Sequence, residues 1–434
     1  MLTQPLSSAP STSLSPSPSL VNWAGNVDFG ATRLHRPASL GELRRLVARS
    51  PGIRALGSGH SFNRVADTSG ELVRLDGLPP LVDVDPANRT VTVGAGMRYA
   101  DFLTALHRAG FALSNLASLP HISVAGSIAT GTHGSGDAHR CLSAAVTALE
   151  LVGPDGDVVS MRRDSLPEVF PGAVVSLGAL GVVTRVTLEI EEAYEMEQHV
   201  RVDVPLDGMA DELDEVFRAA SSVSVFTDWL GEHASVWLKH RRDRPRGRWA
   251  GGRPADRAMN PVPGMPPESS TEQLGVVGPW FERLPHFRPE LVPGAGEELQ
   301  SEYYVPRAAA PAAFAALRGI GPVLAPLLHI AEVRTVRADD LWLSPAYGRD
   351  SVTFHFTWIK DLAAVAPAIV AVEELLLPLD ARPHWGKLSS MAPSTVVAGY
   401  ERAPDFARLM RAHDPDGKFG NALTRSLFPA AIAR

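Results

Sequence analysis

Ile53-Arg-Ala-Leu-Gly-Ser-Gly-His-Ser61 reads as a short strand, Ile53 to Leu56, that runs directly into a loop of glycine, serine and histidine. Gly57 and Gly59 let backbone N–H groups approach an anion closely. The loop lacks the third glycine of G-x-G-x-x-G, so the Rossmann dinucleotide fingerprint fails. Nor is it a G-x-S-x-G nucleophile elbow. A second loop of the same texture runs Gly126-Ser-Ile-Ala-Thr-Gly-Thr-His-Gly-Ser-Gly136. Two such loops can share one pyrophosphate, although each taken alone also fits a plain turn.

Outward from these loops, the 434-residue chain is long enough for two or three domains. Its net charge of −7 argues against nucleic acid as the main partner. The exception is the basic run Lys239 to Arg248, which reads as a solvated loop. The single cysteine, Cys141, excludes an intrachain disulfide and a Cys-rich metal site, and fits a reducing, cytoplasmic setting. His121, His133 and His139 show no H-E-x-x-H or Cys/His pattern, so they read as loop residues and no metal is expected. No window holds the roughly 18 uninterrupted apolar residues of a membrane span. The Ser/Pro-rich start has neither a basic nor an apolar signal region and is expected to be a disordered tail over residues 1–21.

Ser39 is placed to cap a helix through Leu43 and Leu46. Leu81 to Val93 and Leu149 to Val159 read as hairpins. Tyr99, Leu103 and Leu106 mark a helical face closed by Gly110, and Val182 to Ile190 alternates as a half-buried strand. Beyond about Tyr194 strand-like runs appear at 222–229, 235–239, 298–305, 329–336 and 351–359, with helical runs near 306–319 and 361–377. This pattern implies a separate α+β lobe on one large sheet. The stretch 241–270 reads as a long loop.

In Ser351-Val-Thr-Phe-His-Phe-Thr-Trp-Ile359, Val352, Phe354, Phe356 and Trp358 share one face, and Thr353, His355 and Thr357 the other. Glu332 and Arg334, two apart on another strand, also share a face. A solvated sheet face and a surface ion pair would account for each separately. Together they suggest one polar wall suited to a hydroxyl-rich ligand, since Arg donates in a fork, Glu accepts and Thr does both.

The chain resembles the alditol oxidases of the vanillyl-alcohol-oxidase (PCMH-type) FAD flavoprotein superfamily. The likeness runs from about Asn22 to the C-terminus, through Asn22-Trp-Ala-Gly-Asn26, Leu56-Gly-Ser-Gly-His-Ser-Phe-Asn63, Ala117-Ser-Leu-Pro-His-Ile-Ser-Val-Ala-Gly126 and Ala129-Thr-Gly-Thr-His-Gly134. It continues through Glu195-Met-Glu-Gln-His199, Glu332-Val-Arg334, His355-Phe-Thr-Trp358, Arg382-Pro-His-Trp-Gly-Lys387 and Asp414-Pro-Asp-Gly-Lys-Phe-Gly-Asn421. The resemblance implies an α+β protein: a PCMH-type FAD-binding lobe over 22–194, a substrate (cap) lobe with a large antiparallel sheet over 195–380, and a C-terminal segment, 381–434, returning to the FAD lobe. It implies FAD bonded covalently to His60, with Ala55, Leu56, Gly57, Ser58, Gly59, Ser61, Ser118, Ser123, Gly126, Thr130, Gly131, Thr132, His133, Val183 and His384 at cofactor-contacting positions. Ser118, Glu332, Arg334 and Thr357 match substrate-hydroxyl contacts; His355, Lys387 and Arg334 match the catalytic polar groups. Leu388-Ser-Ser390 departs from the more apolar pattern of relatives, a change expected at the rim of the cavity.

The activity so implied is oxidation of a primary hydroxyl of a small polyol, with hydride passing to the flavin and O2 reoxidising it. The protein is expected to be a monomer without a membrane partner. His355 is the first candidate for the base, because imidazole titrates near neutrality. Arg334 and Lys387 are the cations expected to stabilise developing negative charge. The rival readings are an aldonolactone oxidase or dehydrogenase of the same superfamily and a non-catalytic flavin- or sugar-binding protein. A nicotinamide dehydrogenase is disfavoured by the missing fingerprint.

Overall fold

The computed structural model describes residues 20–290 and 296–432, so the tail expected over residues 1–21 lies, up to residue 19, outside the described residues. Helix Leu40–Arg49 begins where the cap predicts: Ser39 accepts from the backbone N–H of Glu42 and Leu43, Leu46 and Val47 are buried. It packs in a core with a parallel sheet ordered Arg33–His35, Glu71–Val73, Ile53–Ala55. The same core takes one face of a five-stranded antiparallel sheet ordered Val82–Asp85, Thr90–Gly94, Val182–Glu189, Val146–Val152, Val158–Arg162. In Val182–Glu189 alternate side chains are buried, as its sequence pattern requires. Trp385, Phe406, Phe419 and Phe428 bring the C-terminal segment into this first core.

The second core lies under a nine-stranded antiparallel sheet. Along its main path the order is Arg253–Pro254, Glu195–Pro205, His233–Arg241, Ser222–Thr227, Leu328–Val336, Ser351–Ile359, Glu298–Pro306, Arg382–Pro383. The apolar face of Ser351–Ile359 packs on helices Met209–Phe217, Ala310–Gly319 and Leu362–Leu376. Phe356 stacks on Trp358 at 5.1 Å, and Trp229 meets Phe314 edge-on at 5.0 Å. The stretch Leu362–Leu379 has the length and apolarity of a membrane span. Its Val365, Ile369 and Val372 face is packed into this second core.

Three expectations need correcting. Glu195–Pro205 is a strand that the sequence reading did not assign. The basic run is only partly solvated, because Lys239, His240 and Arg241 belong to strand His233–Arg241 and are buried. Ser389 and Ser390 do not line the cavity; their hydroxyls donate to the buried carboxylate of Glu373 on the apolar helix.

Replacing Phe356 with Ala removes a fully buried ring from this second core. The expected loss is about 3–5 kcal/mol, read as a lower urea midpoint at unchanged slope.

Candidate functional site

Strand register builds the wall. In antiparallel pairing, residues directly opposite share a face. Glu302 pairs with His355, and His355 with Glu332, giving one row across three strands. The adjoining rows are Tyr304–Thr353–Arg334 and Gln300–Thr357–Ile330. This face is buried rather than solvated: Glu332 and Arg334 are each 6% exposed and His355 8%. The alternative of a surface ion pair fails, because the pair is buried, with Arg334 Nε 3.4 Å from Glu332 Oε1 and Nη2 3.1 Å from Glu302 Oε1.

Opposite the wall lie the glycine loops, and between them is a cavity of about 890 Å3. Ala55 through Ser61 line it, with Ser118, Ser123, Gly126, Thr130, Thr132, His133, Val183 and His384. Glu332, Arg334, His355, Thr357 and Lys387 line it from the cap side. Gly131 does not; its φ of +68° turns the chain, and its carbonyl accepts from Tyr304 Oη. The second glycine-rich stretch is a loop only in part, because Gly126 to Ala129 belong to helix Val124–Ala129, which Ser123 precedes as N-cap. A Cβ at Gly57 would collide with Ser123 Oγ, to which Ser58 N also donates, so the first loop packs on the start of that helix.

Burial sets the charge states. The imidazole of His60 is depressed to about 4 by burial and then by Lys387. It stacks on Trp23 at 4.9 Å, and neither ring nitrogen has a hydrogen-bond partner. His384 falls to about 3, chiefly through burial, and accepts from Gly386 N on Nδ1 as a neutral ring must. Burial lowers His355, opposed by Glu302. Burial also brings Lys387 down to about 8, so it is a less fixed cation than its residue type suggests. For Glu332, burial favours the neutral acid, but Arg334 and His286 outweigh it and hold the carboxyl well below its usual range.

Several residues at the site were not singled out from the sequence. Glu302 joins both walls, receiving His133 Nε2 at 2.9 Å and Arg334 Nη2 at 3.1 Å. Its signal was present, since Gln300, Glu302 and Tyr304 alternate on a strand that was assigned. Gln300 accepts from Lys387 Nζ. His286 Nε2 lies 2.9 Å from Glu332 Oε1, while its backbone N–H donates to the Ser118 carbonyl at 3.1 Å. Buried Lys239 places that segment by donating to the carbonyls of Leu284 and Pro285. No local pattern announces a lysine used this way. The stretch 241–270, read from the sequence as a long loop, sends Pro261, Val262 and Met265 to the cavity.

Two family descriptions match the chain: "FAD binding domain" over residues 33–162 and "D-arabinono-1,4-lactone oxidase" over 297–427. The chain is 50% identical to an alditol oxidase of a Streptomyces species over 95% of this chain and 99% of that one. It is 28% identical to an L-gulono-1,4-lactone dehydrogenase of Mycobacterium tuberculosis, covering 94% of this chain and 99% of that one. With the L-gulonolactone oxidase of Bos taurus it shares 26% identity, over 94% and 97% of the two chains. Among solved structures it superposes on the cholesterol oxidase of B. sterolicum with a TM-score of 0.75, 14% identity and coverage of 95% and 96%, a likeness of fold.

Burial lowers Lys239 from 10.5 to about 7. A lysine whose folded value is depressed destabilises most at low pH, and the cost fades as pH rises toward the unfolded value. The stability advantage of Lys239→Met over the parent protein, in urea titrations, should therefore shrink, or its deficit deepen, between pH 7 and pH 9. A difference independent of pH would show that burial does not depress the amine.

Proposed function

Because the chain belongs to the alditol oxidase family of PCMH-type FAD oxidoreductases, we propose that it oxidises a primary hydroxyl of a small polyol such as xylitol or sorbitol to the aldose. FAD is attached covalently through His60, and O2 is the acceptor, giving hydrogen peroxide. The observation that carries this reading is the buried row Glu302–His355–Glu332, flanked by Arg334 and Thr357 and facing the glycine loops across one cavity.

The residues present fit the cofactor. Orphaned, buried ring nitrogens on His60 suit a covalent attachment point, since a neutral imidazole has a nucleophilic lone pair. Gly57, where a Cβ would collide with Ser123, keeps the main chain of the first loop close against the cavity, a surface that suits a diphosphate. The chemistry supplied by bound FAD is hydride acceptance and reoxidation by O2.

The chain's own groups bind, orient and move protons. Ionised Glu332 accepts a substrate hydroxyl, while Arg334, held on two carboxylates and on Ser118 Oγ at 3.3 Å, donates to another. Thr357 can do either. His355, kept neutral by burial, takes the hydroxyl proton as the carbon loses hydride. Lys387, still cationic at pH 7, stabilises the alkoxide-like oxygen. The lactone-oxidase alternative is favoured by the match over 297–427, but the 50% identity to an alditol oxidase over nearly the whole chain outweighs relatives at 26–28%.

Peroxide release on adding xylitol or sorbitol, against none with aldonolactones, is the expected result of a substrate panel. His355→Ala should lower turnover far more than flavin content; near-normal turnover removes it as the base. Because burial depresses His355, the acid limb of kcat/KM should fall below pH 6.5. His60→Ala should release all yellow colour to the supernatant on acid precipitation, whereas the parent protein keeps it in the pellet.

A further inference from the structure

We propose that Glu302 is a positioning residue for this reaction, a buried carboxylate that fixes the tautomer of His355 and the fork of Arg334 and ties both to the His133 loop. The proposal rests on the polyol-oxidation reading and deepens it. Glu302 is 1% exposed, and no solvent offsets its charge. Burial favours its neutral form, but His133, His355 and Arg334 around it hold the carboxyl well below the usual range. As an ion it only accepts.

Its two oxygens divide the work. Oε1 takes His133 Nε2 at 2.9 Å and Arg334 Nη2 at 3.1 Å. Oε2 faces His355 Nδ1 at 3.3 Å, within ion-pair reach. Nδ1 beside an acceptor-only group carries the ring proton of the neutral imidazole. The lone pair is then on Nε2, which lies 3.3 Å from Thr357 Oγ1. Only in that tautomer can His355 accept a hydroxyl proton on the Thr357 side. Arg334 is anchored in the same way: with Nη2 on Glu302 and Nε against Glu332, its Nη1 is directed to Ser118.

Glu302→Gln keeps the shape and reverses one contact. If the amide oxygen stays on His133 and Arg334, the amide nitrogen replaces Oε2, donates to His355 Nδ1 and moves the ring proton to Nε2. Glu302→Asp keeps an acceptor on both sides. Two measurements on the flavin-loaded protein test this. In protein labelled with 15N-histidine, the resonances lost in His355→Gln should show Nδ1 as N–H and Nε2 bare, and Glu302→Gln should exchange them. In anaerobic stopped flow with xylitol, Glu302→Gln at equal flavin content should slow flavin reduction by about tenfold to a hundredfold, with Glu302→Asp recovering most of the rate. Parent protein with its His355 proton on Nε2 overturns the proposal without any variant, as does Glu302→Gln reducing flavin at the parental rate. The tautomer needs no substrate, so a parent protein that ignores every polyol sinks the polyol-oxidation reading while Glu302 is still tested.

Discussion

The polar face of the large sheet is out of water, so its charges have mainly one another for neutralisation. An ion moved into a protein interior loses hydration worth several kcal/mol, and only close, well-oriented partners restore it. Glu302, Glu332 and Arg334 meet that demand as two anions around one forked cation, with His133 and His286 each placing a ring nitrogen on a carboxylate. The pairing is possible because antiparallel register sets residues from neighbouring strands directly opposite one another. Removing Arg334 would leave two buried carboxylates without their shared cation, which ties the shape of the pocket to its chemistry.

The half of the molecule carrying the glycine loops supplies the opposite wall, and it works by subtraction. Gly57 has no side chain where Ser123 Oγ presses on it, and the Ser58 and Ser123 N–H groups are each taken by the other residue's hydroxyl. His60 stands at that boundary, its ring flat on Trp23 and its nitrogens unsatisfied. One side of the cavity thus carries the glycines and the His60 ring, and the other the buried carboxylates and Arg334.

Much of this was legible in the sequence because it follows local periodicity. The two-residue alternation in 351–359 separated Phe354 and Phe356 from His355 and Thr357, and the structure buries those faces against different neighbours. Ser39, Gly110 and the hairpins fell where turn and cap chemistry requires. What stayed hidden depends on partners distant in the chain. Lys239 looks like the start of a charged, solvated run until the carbonyls of Leu284 and Pro285 fold over it. Ser389 and Ser390 look like rim residues until Glu373 claims them. Glu302 had the right spacing on a recognised strand, but its value lies in His133, 169 positions away.

The loop after strand Leu328–Val336 crosses from one core to the other. Leu341, Trp342 and Leu343, numbered among the cap residues, are buried with the glycine-loop half, where Trp342 fills the space left by Gly172. Trp385 does likewise from the far side of the cap, and its indole N–H donates to the Leu343 carbonyl. The two halves are therefore stitched together and cannot part like the shells of a clam without pulling an indole from its socket. Access to the cavity cannot then depend on the halves swinging apart, and Pro261, Val262 and Met265 reach its lining from a stretch without regular secondary structure.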